Sequence, residues 1–302
     1  MRVALLAGGV GGARFARGLV AAAGPENVTA IVNVGDDFEH WGLSISPDLD
    51  TVLYTLAGRI DPVNGWGVAG DTREAMPVVC ELGGDDWFQL GDRDLGLHIA
   101  RSDRLRRGES LSVVTAAFAE RLGVRAGVLP ASDDRLRTQI VTAAGELEFQ
   151  QWLVRRRAVD RVVAVRFEGS ATPAPGVLAA IAEADRIVLA PSNPFVSLDP
   201  IFAVEGIRAA VAARRSDVVA ITPIIAGAAV KGPLVAMLES LGHAPGVVGA
   251  LGYLAPLAGA AVVDERDRAA ARGLDGLLDV RFAQTLMHDL AAARLLAEAA
   301  LA

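Results

Sequence analysis

Apolar residues along this chain fall into short blocks whose period switches between that of a strand and that of a helix. A mostly apolar stretch at residues 2–7 is followed by helical spacing over 13–22 and a second mostly apolar stretch at 28–33. Strand, helix and strand in that order predict a βαβ unit with its two strands parallel. Further β-branched runs at 161–167, 186–189, 217–221 and 259–263 each neighbour a helical pattern. The expected fold is therefore α/β: a doubly wound, mostly parallel, Rossmann-like sheet. Between residues 65 and 157 the spacing turns mainly helical, most clearly at 92–106, 111–122 and 148–156. This predicts an α/β core made of 1–64 and 158–302, with 65–157 as a mainly helical insertion that covers one sheet edge and the site there. The Ala/Leu-rich stretch 284–302 reads as a closing helix.

Composition narrows the possibilities. Apolar residues make up 52% of the 302, enough for a substantial core. The longest apolar run, 247–263, is broken by Gly249, Gly252, Pro256 and Gly259, which argues against a membrane span. The first apolar run is too short for a signal peptide and leads straight into glycines. A single cysteine, Cys80, excludes an internal disulfide and fits a reducing cytoplasm. His40, His98, His243 and His288 lack paired metal-ligand spacing, which disfavours zinc. A net charge of -7 leaves no basic footprint for nucleic acid, so anionic ligands must meet local positive sites. The arginines at 101, 104, 106 and 107 and at 155–157 read as solvated helix faces. Lys231 is the only lysine among 29 basic residues, and its compact ammonium suits a phosphate where a planar guanidinium would clash.

The densest chemistry lies between Asp36 and Asp50, where five carboxylates (Asp36, Asp37, Glu39, Asp48, Asp50) crowd into one stretch after the second strand. Carboxylates so close repel unless cations or donors sit among them. Asp48 and Asp50 suit a hard cation such as Mg²⁺. The same residues suit a plainer role, with Asp50 capping a helix that begins at Thr51. Gly8, Gly9, Gly11 and Gly12 follow the first strand and lead into a helix, an arrangement that brings amides close to a phosphate, with Arg14 one turn on. The strict dinucleotide and P-loop patterns are both absent. An NAD-dependent oxidoreductase is thereby weakened, as it is by the lack of an acid at the ribose-reading place. Two more strand-end loops, Pro191-Ser192-Asn193-Pro194 and 222–227 running on to Lys231, converge by topology on the same crevice. No Ser/His/Asp or Cys/His set suggests covalent catalysis.

Six segments carry a family likeness: Gly8–Gly12, SPDLDT at 46–51, GDRD at 91–94, PASDD at 130–134, PSNP at 191–194 and DERD at 264–267. In this order, across nearly the whole chain, they resemble the 2-phospho-L-lactate transferase family of deazaflavin coenzyme F-420 biosynthesis. The resemblance implies transfer of a phospho-three-carbon acid, phosphoenolpyruvyl or 2-phospho-L-lactyl, from a GDP-linked donor. The acceptor would be the ribityl hydroxyl of 7,8-didemethyl-8-hydroxy-5-deazariboflavin, with GMP released and Mg²⁺ assisting. It also implies that Asp50 and Arg93 hold the deazaflavin, with Thr51 and Trp66 beside them. Asp48, Asp50 and Arg93 are then the catalytic candidates, and Asp48 and Asp50 the metal candidates. Gly9, Gly11, Gly12, Arg14, Ser192, Asn193, Pro194 and Lys231 are the nucleotide candidates. Small-molecule partners, a cytoplasmic location and a homodimer are expected. A related gluconeogenesis-factor group, made of nucleotide-sugar-binding regulators, is the second possibility; the abundance of Arg and Ala tilts the donor towards enolpyruvyl.

Overall fold

The computed structural model describes residues 1–302. The opening unit is β1 (Val3–Ala7), α1 (Gly9–Ala23) and β2 (Val28–Val32), followed by a small hairpin, β3 (Phe38–His40) and β4 (Leu43–Ile45), and by α2 (Pro47–Leu56). Three helices come next: α3 (Ala75–Glu81), α4 (Asp92–Arg106) and α5 (Leu111–Arg121). Then come β5 (Gly127–Pro130), β6 (Arg137–Thr142), β7 (Gly145–Glu148) and β8 (Val162–Glu168). The chain continues through α6 (Val177–Glu183), β9 (Arg186–Leu189), α7 (Asp199–Ala203), α8 (Ile207–Ala212) and β10 (Val218–Ile221). A two-residue-stranded hairpin, β11 (Ile224–Ile225) and β12 (Ala228–Ala229), precedes α9 (Leu234–Ser240) and α10 (Gly246–Leu254). The last elements are β13 (Ala260–Asp264), β14 (Asp279–Ala283) and α11 (Leu290–Leu301).

Seven strands form one parallel sheet in the order β14-β13-β10-β9-β1-β2-β5. The order reverses between β1 and β9, and at such a switch point the loops leaving the two strands diverge and open a crevice. β1, β10 and β13 are buried at every residue, as parallel strands covered by helices on both faces must be. That is why they read as unbroken apolar runs. α1 packs on α11 so closely that a Cβ at Gly18 would lie 2.3 Å from the Ala293 carbonyl oxygen.

Several expectations are corrected. The stretch 65–157 is helical in α3, α4 and α5 but is not wholly so. It contains β5, which is the edge strand of the central sheet, and β6 and β7. Val114, Phe118, Ile140 and Trp152 belong to the same continuous core as β1 and β9. The run at 161–167 forms β8, which pairs antiparallel with β6 in a separate three-stranded sheet. β14 escaped the sequence reading because it is a partly exposed edge strand with no continuous apolar run. The segment expected as a helix at 148–156 yields only a short helical turn centred on Gln151–Arg155. The final helix begins at Leu290, capped by Asp289, whose side chain accepts from the Ala292 amide at 2.8 Å. α2 begins at Pro47 rather than Thr51, with proline in the first position, where its missing N–H costs nothing. Asp48 and Asp50 are thus both inside the first turn.

Candidate active site

Loops from the carboxyl ends of β1, β2, β9, β10 and β14 enclose a cavity of about 620 Å³, within the range of small-molecule sites. From the candidates, Gly9, Gly11, Arg14, Asp48, Asp50, Thr51, Trp66, Ser192, Asn193 and Lys231 line it. Arg93, Gly12 and Pro194 do not. The glycines act first by letting backbones meet: a Cβ at Gly11 would lie 2.6 Å from the Pro191 carbonyl oxygen, and one at Gly8 would lie 2.7 Å from Asp48 Oδ2. Ser192 Oγ donates to the Gly8 carbonyl at 2.7 Å, so the loops after β1 and β9 are tied together at the switch point.

Asp48 is buried, with each oxygen held by one donor. Oδ1 accepts from the Gly9 amide at 2.7 Å and Oδ2 from Asn33 Nδ2 at 3.0 Å. Burial pushes its carboxyl up to about 6 despite those two hydrogen bonds. Asp36, which leaves β2 into the same cavity, is also buried, and its Oδ1 has no hydrogen-bond partner. Burial first, and the neighbouring Asp48 carboxylate second, raise its carboxyl well above the ordinary range. Asp37 points elsewhere. It accepts from Ser46 Oγ at 2.7 Å, and burial raises it to about 7.

Asp50 belongs to a different constellation. Its Oδ1 is paired with Nη2 of Arg101, its Oδ2 accepts from Arg101 Nη1 at 3.1 Å, and His98 Nδ1 stands 3.6 Å away. Tyr54 donates to Asp94 Oδ1 at 2.8 Å, and His98 Nε2 is 3.5 Å from that oxygen. Arg101 and His98 are both 2% exposed. Arg101, expected on a solvated face, is therefore the arginine that serves Asp50. Arg93 is exposed at the start of α4, donating to the Ala69 carbonyl at 3.3 Å. The signal in the sequence was Asp94, His98 and Arg101 at i, i+4 and i+7, one face of α4. Asp92 does not cap its own helix. It accepts from the amides of Glu74 and Ala75 at the start of α3, at 2.9 and 3.0 Å.

The remaining wall is partly apolar and aromatic, with Tyr54, Trp66, Phe88, Phe149 and Leu153. Trp41 and Trp87 instead pack with Phe38, His40 and Phe88 in a satellite cluster. Lys231 and Arg14 are the cavity's two formal cations of fixed sign. Lys231 Nζ donates to the Asn64 carbonyl at 2.9 Å, and its partial burial, with Arg14 nearby, pushes its ammonium below the ordinary range.

The switch-point cavity thus sets two buried acids, one with an unpartnered oxygen, against two cations and an aromatic wall, a lining that suits an anionic ligand and a ring-bearing one. Comparison with known proteins points the same way. The profile of the family described as 2-phospho-L-lactate transferase CofD matches residues 3–293. The chain is 44% identical over 312 residues to a phosphoenolpyruvate transferase of Kitasatospora aureofaciens, covering all of this chain and 97% of that protein. It is 45% identical over 250 residues to one of Streptomyces coelicolor, covering 80% and 78%. A crystal structure of a Bacillus halodurans protein of the UPF0052 family shares the fold, with a TM-score of 0.65 over 100% of this chain and 99% of that one, at 19% identity. The regulatory alternative is not favoured by these relatives. With the profile spanning nearly all of the fold and full-length identity near one half, the chain belongs to the CofD family of 2-phospho-L-lactate transferases, enzymes of coenzyme F-420 biosynthesis.

Proposed function

We propose that the protein transfers a phosphoenolpyruvyl group from its GDP-linked donor to the ribityl hydroxyl of 7,8-didemethyl-8-hydroxy-5-deazariboflavin. The names of the actinobacterial relatives favour enolpyruvyl over lactyl as the three-carbon acid. The observation that carries the reading is the Asp36–Asp48 pair in a cavity that also holds Arg14 and Lys231. Two buried acids with raised pKa values and an unpartnered oxygen fit a divalent cation. Asp36 replaces Asp50 in that proposal, because both oxygens of Asp50 are already engaged by Arg101. No group of three or more His, Cys, Asp or Glu side chains is gathered to hold an ion, so Asp36 and Asp48 are the two side chains that would hold Mg²⁺ here. When bound, it would supply charge neutralisation at the phosphates.

The chain's own residues do the rest. Lys231 and Arg14 offset charge on the donor's diphosphate, while the loops at Gly9–Gly11 and Ser192–Asn193 hold the nucleotide at the switch point. Trp66, Phe88 and Phe149 offer apolar faces to the deazaflavin, and Thr51 offers a polar contact, while Asp50 stays paired with Arg101 behind it. Positioning brings the ribityl oxygen to the phosphorus that bears the three-carbon acid. The new P–O bond forms, the bridging P–O bond breaks, and GMP departs with the electron pair. The hydroxyl proton has His98, whose Nε2 has no hydrogen-bond partner, in the same cavity to receive it. Arg93 keeps a role only if it moves towards the acceptor.

Incubation of the purified protein with deazariboflavin, Mg²⁺ and each synthetic donor, followed by mass analysis, tests this reading. Release of GMP together with the enolpyruvyl-phospho product is expected; absence of transfer from either donor overturns it. No helix is long and apolar enough to cross a membrane. Cytoplasmic location and a homodimer complete the proposal, with light scattering on the purified protein as the test of the dimer.

A further inference from the structure

The DERD segment lines no part of the cavity, yet its two aspartates are buried and fully engaged with the loops that do. Asp264, the last residue of β13, accepts from the Thr285 amide and Oγ1, both at 3.0 Å, and from Arg266 Nε at 2.7 Å. Thr285, Leu286 and Met287 line the cavity. Asp267, 4% exposed, accepts from the amides of Ala226 and Gly227 at 2.7 and 2.8 Å. These two residues make the turn between β11 and β12, at φ +52° and +76°. Two successive left-handed residues aim their amides at one point, and a carboxylate there satisfies both. Four residues beyond Gly227 the same loop delivers Lys231 to the cavity, where its ammonium reaches across to the Asn64 carbonyl.

We propose that Asp267 is a positioning residue for the donor: by gripping the Ala226–Gly227 turn it sets the place of Lys231, while Asp264 fixes the neighbouring Thr285–Met287 loop. The proposal rests on the reading above that Lys231 meets the donor's diphosphate. Asp267 touches no cavity space, so its influence travels through the loop and falls on one substrate alone. A cation misplaced by an ångström weakens the diphosphate contact and leaves the aromatic wall for the acceptor unaltered.

Asp267→Ala and the milder Asp267→Asn in the full chain test this by two readouts, with Lys231→Ala as reference. Amide exchange followed by mass spectrometry is expected to accelerate about tenfold in 222–234 for Asp267→Ala, and less for the amide variant, which still accepts one hydrogen bond. The KM for the GDP-linked donor is expected to rise about tenfold, with kcat and the acceptor KM within about twofold. Joining Asp267→Ala to Lys231→Ala is expected to add little, because both act through one ammonium. Unchanged exchange overturns the grip on the turn, and equal loss for both substrates, or full additivity with Lys231→Ala, overturns the link to the donor. A wild-type protein that neither transfers nor binds GDP would instead remove the transferase reading, while exchange would still decide whether Asp267 holds the loop.

Discussion

The backbone amide of Gly9, first residue of α1, donates at 2.7 Å to Oδ1 of Asp48, second residue of α2 and 39 positions away. The N-termini of two helices therefore converge on one carboxylate, each contributing the positive end of its dipole. Burial still outweighs them, and Asp48 remains raised to about 6. A full negative charge there calls for a further cation, the place proposed for Mg²⁺ beside Asp36.

Asp48→Asn keeps the shape and an acceptor for Gly9 but removes the charge. Turnover is expected to fall about 100-fold or more, while the melting temperature changes little, because loss of the buried like charge facing Asp36 offsets the acceptor lost to Asn33 Nδ2. Steady-state assays paired with thermal unfolding check this. Near-normal turnover in the variant would count against the acid pair.

The two arginines of α4 separate cleanly by substitution. Arg101→Met leaves Asp50 buried and unpaired and is expected to cost about 3–5 kcal/mol, read by urea unfolding. Replacing Asp50 by leucine in the same chain is expected to recover much of that loss. Arg93→Ala, at an exposed position, is expected to change stability by less than about 0.5 kcal/mol. Should Arg93→Ala alone raise the acceptor KM, the family-derived role of that residue stands and a movement of α4 is implied.

The raised carboxyls give a pH dependence of definite sign. Asp37, Asp48 and Asp36 hold protons in the native state at pH values where the unfolded chain has lost them. The stability they contribute is thus full below the ordinary carboxylate range and declines as pH rises through about 6 and 7, the native values of Asp48 and Asp37. Without divalent ions, the melting temperature is expected to fall across that window. On the proposal that Mg²⁺ binds the ionised pair, its stabilisation is expected to be larger at pH 8 than at pH 5. Scanning fluorimetry over a pH series decides it, and an Mg²⁺ effect independent of pH would contradict the assignment.

Two glycines on α1 distinguish site geometry from packing. At Gly18 a Cβ would drive into the Ala293 backbone of α11, and at Gly11 into the Pro191 carbonyl beside the cavity. Each alanine variant is expected to lose about 1–3 kcal/mol from overpacking. Only Gly11→Ala is expected also to raise the donor KM. Kinetics at a temperature where both variants are folded make the comparison.

The sheet's central strands were readable because a strand buried on both faces must be largely apolar, as β1, β2, β9, β10 and β13 all are. β14 did not, being an edge strand. Nor did β5 inside the stretch taken as helical, since four residues carry little period. The crowding of acids between Asp36 and Asp50 was also visible, and so was the convergence of glycine, PSNP and Lys231 loops on one crevice.

What the amino-acid order alone determined is this list of parts: which segments must bury an apolar face, and which polar loops follow the strands. Partnership among the charges was decided only by folding. Asp50 meets Arg101 rather than Arg93, Asp48 meets Gly9 and Asn33, and Asp267 grips a turn 40 residues upstream. Hydrophobic period is a local property, expressed within one helix or strand, whereas a carboxylate takes whichever donor the packing of distant elements brings within 3 Å, and that distance is written nowhere along the chain.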